Sequence, residues 1–372
     1  MRAWVVGLAV ALACAAPCAA APTAVNGWPV RTPAGSVHLG PGGGAVVTNQ
    51  SVIQRFVFTV SAYRLDARRR WVNRRAASCG NCDPGPQPAR RQADDTYGLI
   101  GVTGDDFWSV NQAGREVEGC TGAVLPDGTC ISETFSFDEG TPPALIAVRG
   151  PAELWRLTET GLAWAPESGV APYVVRDGTN TAYAAYAPET PDGRLVAADA
   201  TTGGLRARVA GSFTVVGATA DACLALQGNA LVAVGPDGVR RWSTTGIGAA
   251  AVLPEDVVVD RARARIYLGR RSGSRWSTIA LSATDGRVLW RSAAGVSVRP
   301  LSLAQGGLLL AGVTQGGADA VRALGLDGRP RWTFRTANPV VGARELTGRT
   351  VVVSTDRGDA TGPLWRIDPL RR

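Results

Sequence analysis

The sequence predicts an all-β chain built from repeated four-stranded units. Three observations carry that reading. No stretch shows the apolar period of an amphipathic helix; short runs rich in Val, Leu, Ala and Tyr alternate instead with Gly, Pro, Asp and Asn turns. One plan recurs in VAVGPDGVRRW (232–242), ALSATDGRVLW (280–290) and ALGLDGRPRW (323–332): an apolar strand meets an Asp/Gly turn, and a Trp stands four residues after the Gly. The plan returns after roughly the 40–45 residues that one propeller blade needs.

Each residue of the plan has a physical role. Gly238, Gly286 and Gly328 supply a positive φ that other residues resist. The Asp side chain can cap the turn. Trp242, Trp290 and Trp332 offer a flat surface for a neighbouring unit to cover.

Weaker copies fill the chain: YRLDARRRW (63–71), WSVNQAGREV (108–117), WRLTETGLAW (155–164) and VAADATTGGLRA (196–207). The markers are then Trp71, Val117, Trp164, Ala207, Trp242, Trp290 and Trp332. The last unit, LWRIDPLRR (364–372), reaches only a third strand, while NGWPVRT (26–32) is a Gly-Trp strand with nothing before it. Residues 27–31 are predicted to pair antiparallel with 363–368, so that Trp28 completes an eighth unit. The expected fold is an eight-bladed β-propeller with four-stranded antiparallel blades, closed by its two termini. Closure removes the edges that an open array would expose.

These repeats resemble the pyrroloquinoline-quinone-like β-propeller repeat, with its tryptophan-docking signature AxDxxTGxxxW. Residues 280–290 keep the spacing, with Ser282 where that family has Asp and Asp285 where it has Thr. The resemblance implies Trp residues packed between blades: Trp28, Trp71, Trp164, Trp242, Trp290 and Trp332. Two functional classes share the repeat. Quinone-dependent dehydrogenases hold quinone and Ca²⁺ with Glu, Asn and Asp on long inserted loops, and many carry adjacent cysteines. Non-enzymatic secreted and envelope propellers form the other class. This sequence has no adjacent Cys pair and no acidic, Asn-bearing loop long enough to wrap a cofactor. The expectation is a non-catalytic binding or scaffold protein without cofactor. The alternative is a small quinone- or metal-dependent oxidoreductase. A carbohydrate-active propeller would need a fixed pair of carboxylates, which is not evident.

MRAWVVGLAVALACAAPCAAAP reads as a signal peptide over residues 1–20, leaving 21–372 as one domain. Its apolar run is too short to span a bilayer. Cys14 and Cys18 leave lipid anchoring as an alternative, although the residues before Cys14 match a lipobox poorly. The expected location is periplasmic or secreted. The formal charge is +8, and every basic residue other than His38 is Arg. Export argues against nucleic acid as the partner. Scattered Arg fits a solvated surface with repelling strand edges, or a protein, peptide or anionic envelope polymer as partner. A monomer is expected.

Beyond the signal peptide stand Cys79, Cys82, Cys120, Cys130 and Cys223. Residues 72–96 read as an insertion after the first blade, and GCTGAVLPDGTC (119–130) as the connection after the second. Disulfides are predicted, either Cys120–Cys130 with Cys79–Cys82 or cross-paired; a four-thiolate zinc site is the alternative. Cys223 reads as a small buried residue. Arg74, Arg75, Arg90 and Arg91 flank CGNC, so the predicted partner surface is 73–95 with 119–130. No catalytic or metal residue is assigned. His38 is the only His. Asp94–Asp95 and Asp105–Asp106 would point to opposite faces of a strand. Glu133, Asp138 and Glu139 read as turn caps or solvated groups.

Overall fold

The Val/Ala/Leu runs become middle strands covered on both sides. Every residue of Thr181–Tyr186 is buried, and Arg194–Asp199 is buried along its centre. Outer strands keep an alternation: Leu205–Ala210 exposes every second residue or more. Strands facing a neighbour on both faces lose the polar half of the pattern.

The computed structural model describes residues 22–51, 56–77, 90–91, 97–99, 108–117, 120, 122–134, 142–160, 174–186, 193–248, 252, 256–357 and 361–369. Among them lie eight antiparallel sheets. Seven are consecutive meanders over 36–77 (blade 1), 90–117, 123–158, 175–210, 214–244, 257–291 and 297–336 (blade 7). Blade 8 takes three strands from 340–368 and its outer edge from the other end of the chain. First strands pack side by side from blade 4 through blades 5, 6, 7 and 8 and on to blade 1, where Ser36–Leu39 meets Val340–Glu345, so the last blade closes on the first. An antiparallel meander puts two kinds of connection on each side of the ring. Links between blades share one face with the second-to-third hairpins, called here the connection face. First-to-second and third-to-fourth turns share the opposite, turn face.

The closing strand differs in detail from 27–31. Val30–Pro33 pairs with Thr361–Leu364, and Thr23–Ala24 pairs with Ile367–Asp368. A tight turn separates the two pieces, with Trp28 N–H donating to Val25 C=O at 3.1 Å. Gly27 has φ 85° and Pro29 has no N–H to give, so neither continues a ladder. Removing residues 22–33 is expected to lower the melting temperature sharply, because it bares the edge of blade 8 and empties the Trp28 slot. A truncated protein that melts like the whole chain would contradict the closure.

Tryptophans seal the seams. Trp28, Trp71, Trp242 and Trp290 each donate Nε1–H to a carbonyl in the third-to-fourth turn of the next blade: Leu65 (3.4 Å), Gln112 (3.0 Å), Ala283 (2.9 Å) and Leu326 (3.0 Å). Two or three residues further on, the turn passes over the indole. At Gly114, Gly286 and Gly328 an added Cβ would fall 2.5–2.8 Å from ring atoms. Ala67 takes the same place over Trp28 and adopts the same hand, φ 70°. Trp332 packs with Val351, Val353 and Ile367 of blade 8. Trp164 lies outside the described residues. In the seam between blades 3 and 4 the described docking residue is Trp155, over which Gly203 sits with its Cβ position 2.6 Å from the ring.

Candidate functional site

The predicted partner surface is only partly strand-free. Arg74 and Arg75 lie on Arg69–Ala77, the fourth strand of blade 1, and Arg74 is exposed. Arg90 and Arg91 form the first strand of blade 2. The segment 72–96 is therefore strand at 72–77 and at 90–91, because the blade 1 hairpin runs to Phe56↔Ala77. Cys79, Cys82, Asp94 and Asp95 lie outside the described residues, as do Asp105, Asp106, Asp138 and Glu139.

Cys120 and Cys130 form a disulfide with Cα atoms 5.6 Å apart. It ties the entry of blade 3 to the start of its second strand, where Cys130 pairs with Val124. Residues 122–130 are accordingly a hairpin whose Pro126–Gly128 turn lies on the turn face, away from the blade-to-blade links. Cys223 is fully buried and forms no disulfide; burial, then the charge of Asp177, pushes its thiol up. His38 lies on the first strand of blade 1, half-buried, with Nε2 3.3 Å from Thr48 Oγ1.

The polar groups of the ring fall into two sets. On the turn face, Asp237, Asp285 and Asp327 cap their turns by accepting backbone N–H from Val239, Arg287 and Arg329. Hydrogen bonds hold these carboxyls below their ordinary value. Asp199 goes down to about 2, chiefly through Arg206, whose Nη2 is 2.7 Å away. Toward the connection face, buried carboxylates bind arginines across seams. Glu159, fully buried after blade 3, accepts from Arg194 Nη1 (3.3 Å) and from Arg208 Nε and Nη2 (3.0 and 2.9 Å) of blade 4. Asp256, fully buried before blade 6, accepts from Arg299 Nε of blade 7 at 3.1 Å. The same guanidinium stacks 4.7 Å over Trp276.

Glu133 is the site residue that sequence reading misplaced. It lies on Cys130–Thr134, the second strand of blade 3, and is neither a turn cap nor solvated. The residue keeps some exposed surface, but its Oε2 is sealed from solvent and meets no hydrogen-bond partner. Burial pushes its carboxyl well above the ordinary value. A signal existed in CISET: Ile131 and Glu133 are two apart, so they share the inward face. Among the described residues no group of three or more His, Cys, Asp and Glu could hold a metal ion. Nor is any helix among them long and apolar enough to cross a membrane.

No family model and no curated protein sequence matches the chain. Solved structures do. The quinohemoprotein alcohol dehydrogenase from Comamonas testosteroni aligns at a TM-score of 0.56 and 13% identity, over 93% of this chain and 76% of that one. Sqt1 of Saccharomyces cerevisiae aligns at 0.51 and 10%, over 93% and 100%. BamB from Moraxella catarrhalis aligns at 0.48 and 15%, over 93% and 99%. The likeness is one of fold. At these identities the shared property is the β-propeller, a scaffold that carries many unrelated functions.

Proposed function

We propose that this propeller is an exported, non-catalytic binding or scaffold protein of the cell envelope or the extracellular space. One observation carries the reading: six carboxylates of the described ring are engaged in turns and seams. Glu159 and Asp256 bridge blades, and Asp199, Asp237, Asp285 and Asp327 cap turns. Such a ring is a rigid support for the segments between its strands, where binding residues usually lie. The Cys120–Cys130 disulfide supports an oxidising compartment, in keeping with the leader expected over residues 1–20. The partner is a protein, a peptide or an anionic envelope polymer, bound by a monomer at the 78–89 link and its flanking Arg74, Arg75, Arg90 and Arg91.

Two experiments test this. Replacing residues 78–89 with a short Gly-Ser linker spares both flanking strands. The variant is expected to fold and to lose the envelope partners that the whole protein captures. Retention at full strength would remove this surface from consideration. Titration with pyrroloquinoline quinone and Ca²⁺ is expected to give no stoichiometric complex. A complex that reduces an electron acceptor with an alcohol or sugar would make the protein an enzyme.

A further inference from the structure

The seam between blades 3 and 4 ends, toward the connection face, in a polar niche. Strand alternation aims it. Ile131 belongs to the apolar cluster between the two blades, and Glu133 shares its face. Ala182, Ala184 and Tyr186 line the facing side on the second strand of blade 4. Both second strands run the same way, so Glu133 and Tyr186 come near their ends together. Glu133 Oε2 and Tyr186 OH are both sealed from solvent, and neither has a hydrogen-bond partner. Native structures rarely leave such atoms without an occupant to satisfy them.

The surrounding groups define the occupant. Tyr186 pairs across the sheet with Arg194, and Glu159 holds Arg194 and Arg208 beside it. Burial pushes the Glu133 carboxyl well above its ordinary value and so favours its protonated form. Burial above all, with the charge of Glu159, keeps Tyr186 an O–H. The acceptor atoms of Glu159 are already taken by both arginines. What the niche offers is therefore two O–H donors, beside two guanidiniums balanced by a single carboxylate. A cation would be repelled there, whereas an oxyanion would be welcomed. Arg194 and Arg208, beside it, keep 24% and 40% of their side chains exposed.

We propose that this niche binds a carboxylate group, from a free carboxylic acid or from a peptide C-terminus, through Glu133 and Tyr186. The inference goes beyond the reading above, since it concerns a small ligand in the wall of the ring and stands apart from the 78–89 link.

Calorimetry with the purified protein decides it. The probes are acetate, acetyl-Ala-Ala and acetyl-Ala-Ala amide, at about pH 6 and about pH 9. At least one carboxylate is expected to bind saturably at the lower pH, and the amide is not. Equal binding of acetate and peptide marks a free acid as the source; peptide alone marks a C-terminus. Tyr186→Phe is expected to weaken binding about tenfold, the worth of one buried hydrogen bond. Wild-type binding is expected to fade as pH rises through the raised Glu133 value. Glu133→Gln, whose amide N–H donates at either pH, is expected to bind at both. The proposal is overturned if neither carboxylate saturates, or if the amide binds as well. It is also overturned if folded Tyr186→Phe binds as wild type does. Should Tyr186→Phe fail to fold, the pH arm with Glu133→Gln decides: equal pH dependence in the two proteins overturns it.

Discussion

Trp242→Ala is expected to lower the unfolding free energy by about 3–5 kcal/mol. The indole is 9% exposed and fills the seam between blades 5 and 6. Its loss removes a large buried surface and leaves Ala283 C=O without its donor at 2.9 Å. The size of the cost depends on whether the site can collapse, and blade 4 shows what collapse looks like. Ala207 stands there at the Trp place. The next turn has closed in, so that a Cβ on Gly238 would lie 2.9 Å from Ala207 Cβ and 3.1 Å from Val209 Cγ2. The turn over Trp242 is the longer kind, closed by Gly286 N–H to Ser282 C=O and Ser282 N–H to Arg287 C=O. Its Gly is held off by the ring and by Thr244, so it should settle less completely. Trp290→Ala should cost less, because Trp290 is only half-buried. Equilibrium denaturation checks both. A cost under about 1 kcal/mol for Trp242→Ala would mean that the seam heals as the Ala207 seam has.

Glu159→Ala is expected to cost about 3 kcal/mol, the low end for breaking a buried ion pair. The low end applies because the two guanidiniums it abandons are partly exposed and can be rehydrated. The arginine side of the cycle should behave differently. Arg208→Ala leaves Glu159 with Arg194 Nη1 at 3.3 Å, a longer contact but still a counter-charge. Removing both arginines strands a fully buried carboxylate, so the double variant should lose more than the sum of the singles. A double-mutant cycle measures that excess. Strict additivity would show that water reaches the carboxylate once one arginine is gone.

The fold was legible because its signal is a spacing. A Gly at the turn and a Trp four residues later located the seams at Trp242 and Trp290, and Trp28 identified the closing segment. In blade 3 the same rule passed over a docking residue. There WRLTETGLAW offers Gly161 and Trp164, but the turn is Gly150–Pro151 and the docking residue is Trp155, five places on. A Pro in the turn and one added residue disguised the plan. Blade 1 disguised it less, since Ala67 carries the positive φ in place of Gly. The site was harder to read, because Glu133 and Tyr186 lie in different repeats. One strand shows which way a carboxylate points. Only the packing of two blades shows that nothing answers it.

The closing strand also has a consequence in time. Gly35 N–H meets Ser354 Oγ across 319 residues of chain, just past the point where Val30–Pro33 joins Thr361–Leu364 as the outer edge of blade 8. These residues are synthesised early and find their partners last. Blades 1 to 7 can each form from local hairpins, but blade 8 has to wait for both ends of the ring. Contacts of such long range slow folding, and until they form the last blade lacks its outer edge. A circular permutant joining residue 369 to residue 22 through a short linker, with new ends in a turn between blades, would make this pairing local. It is expected to refold faster than the natural order while keeping the same seams.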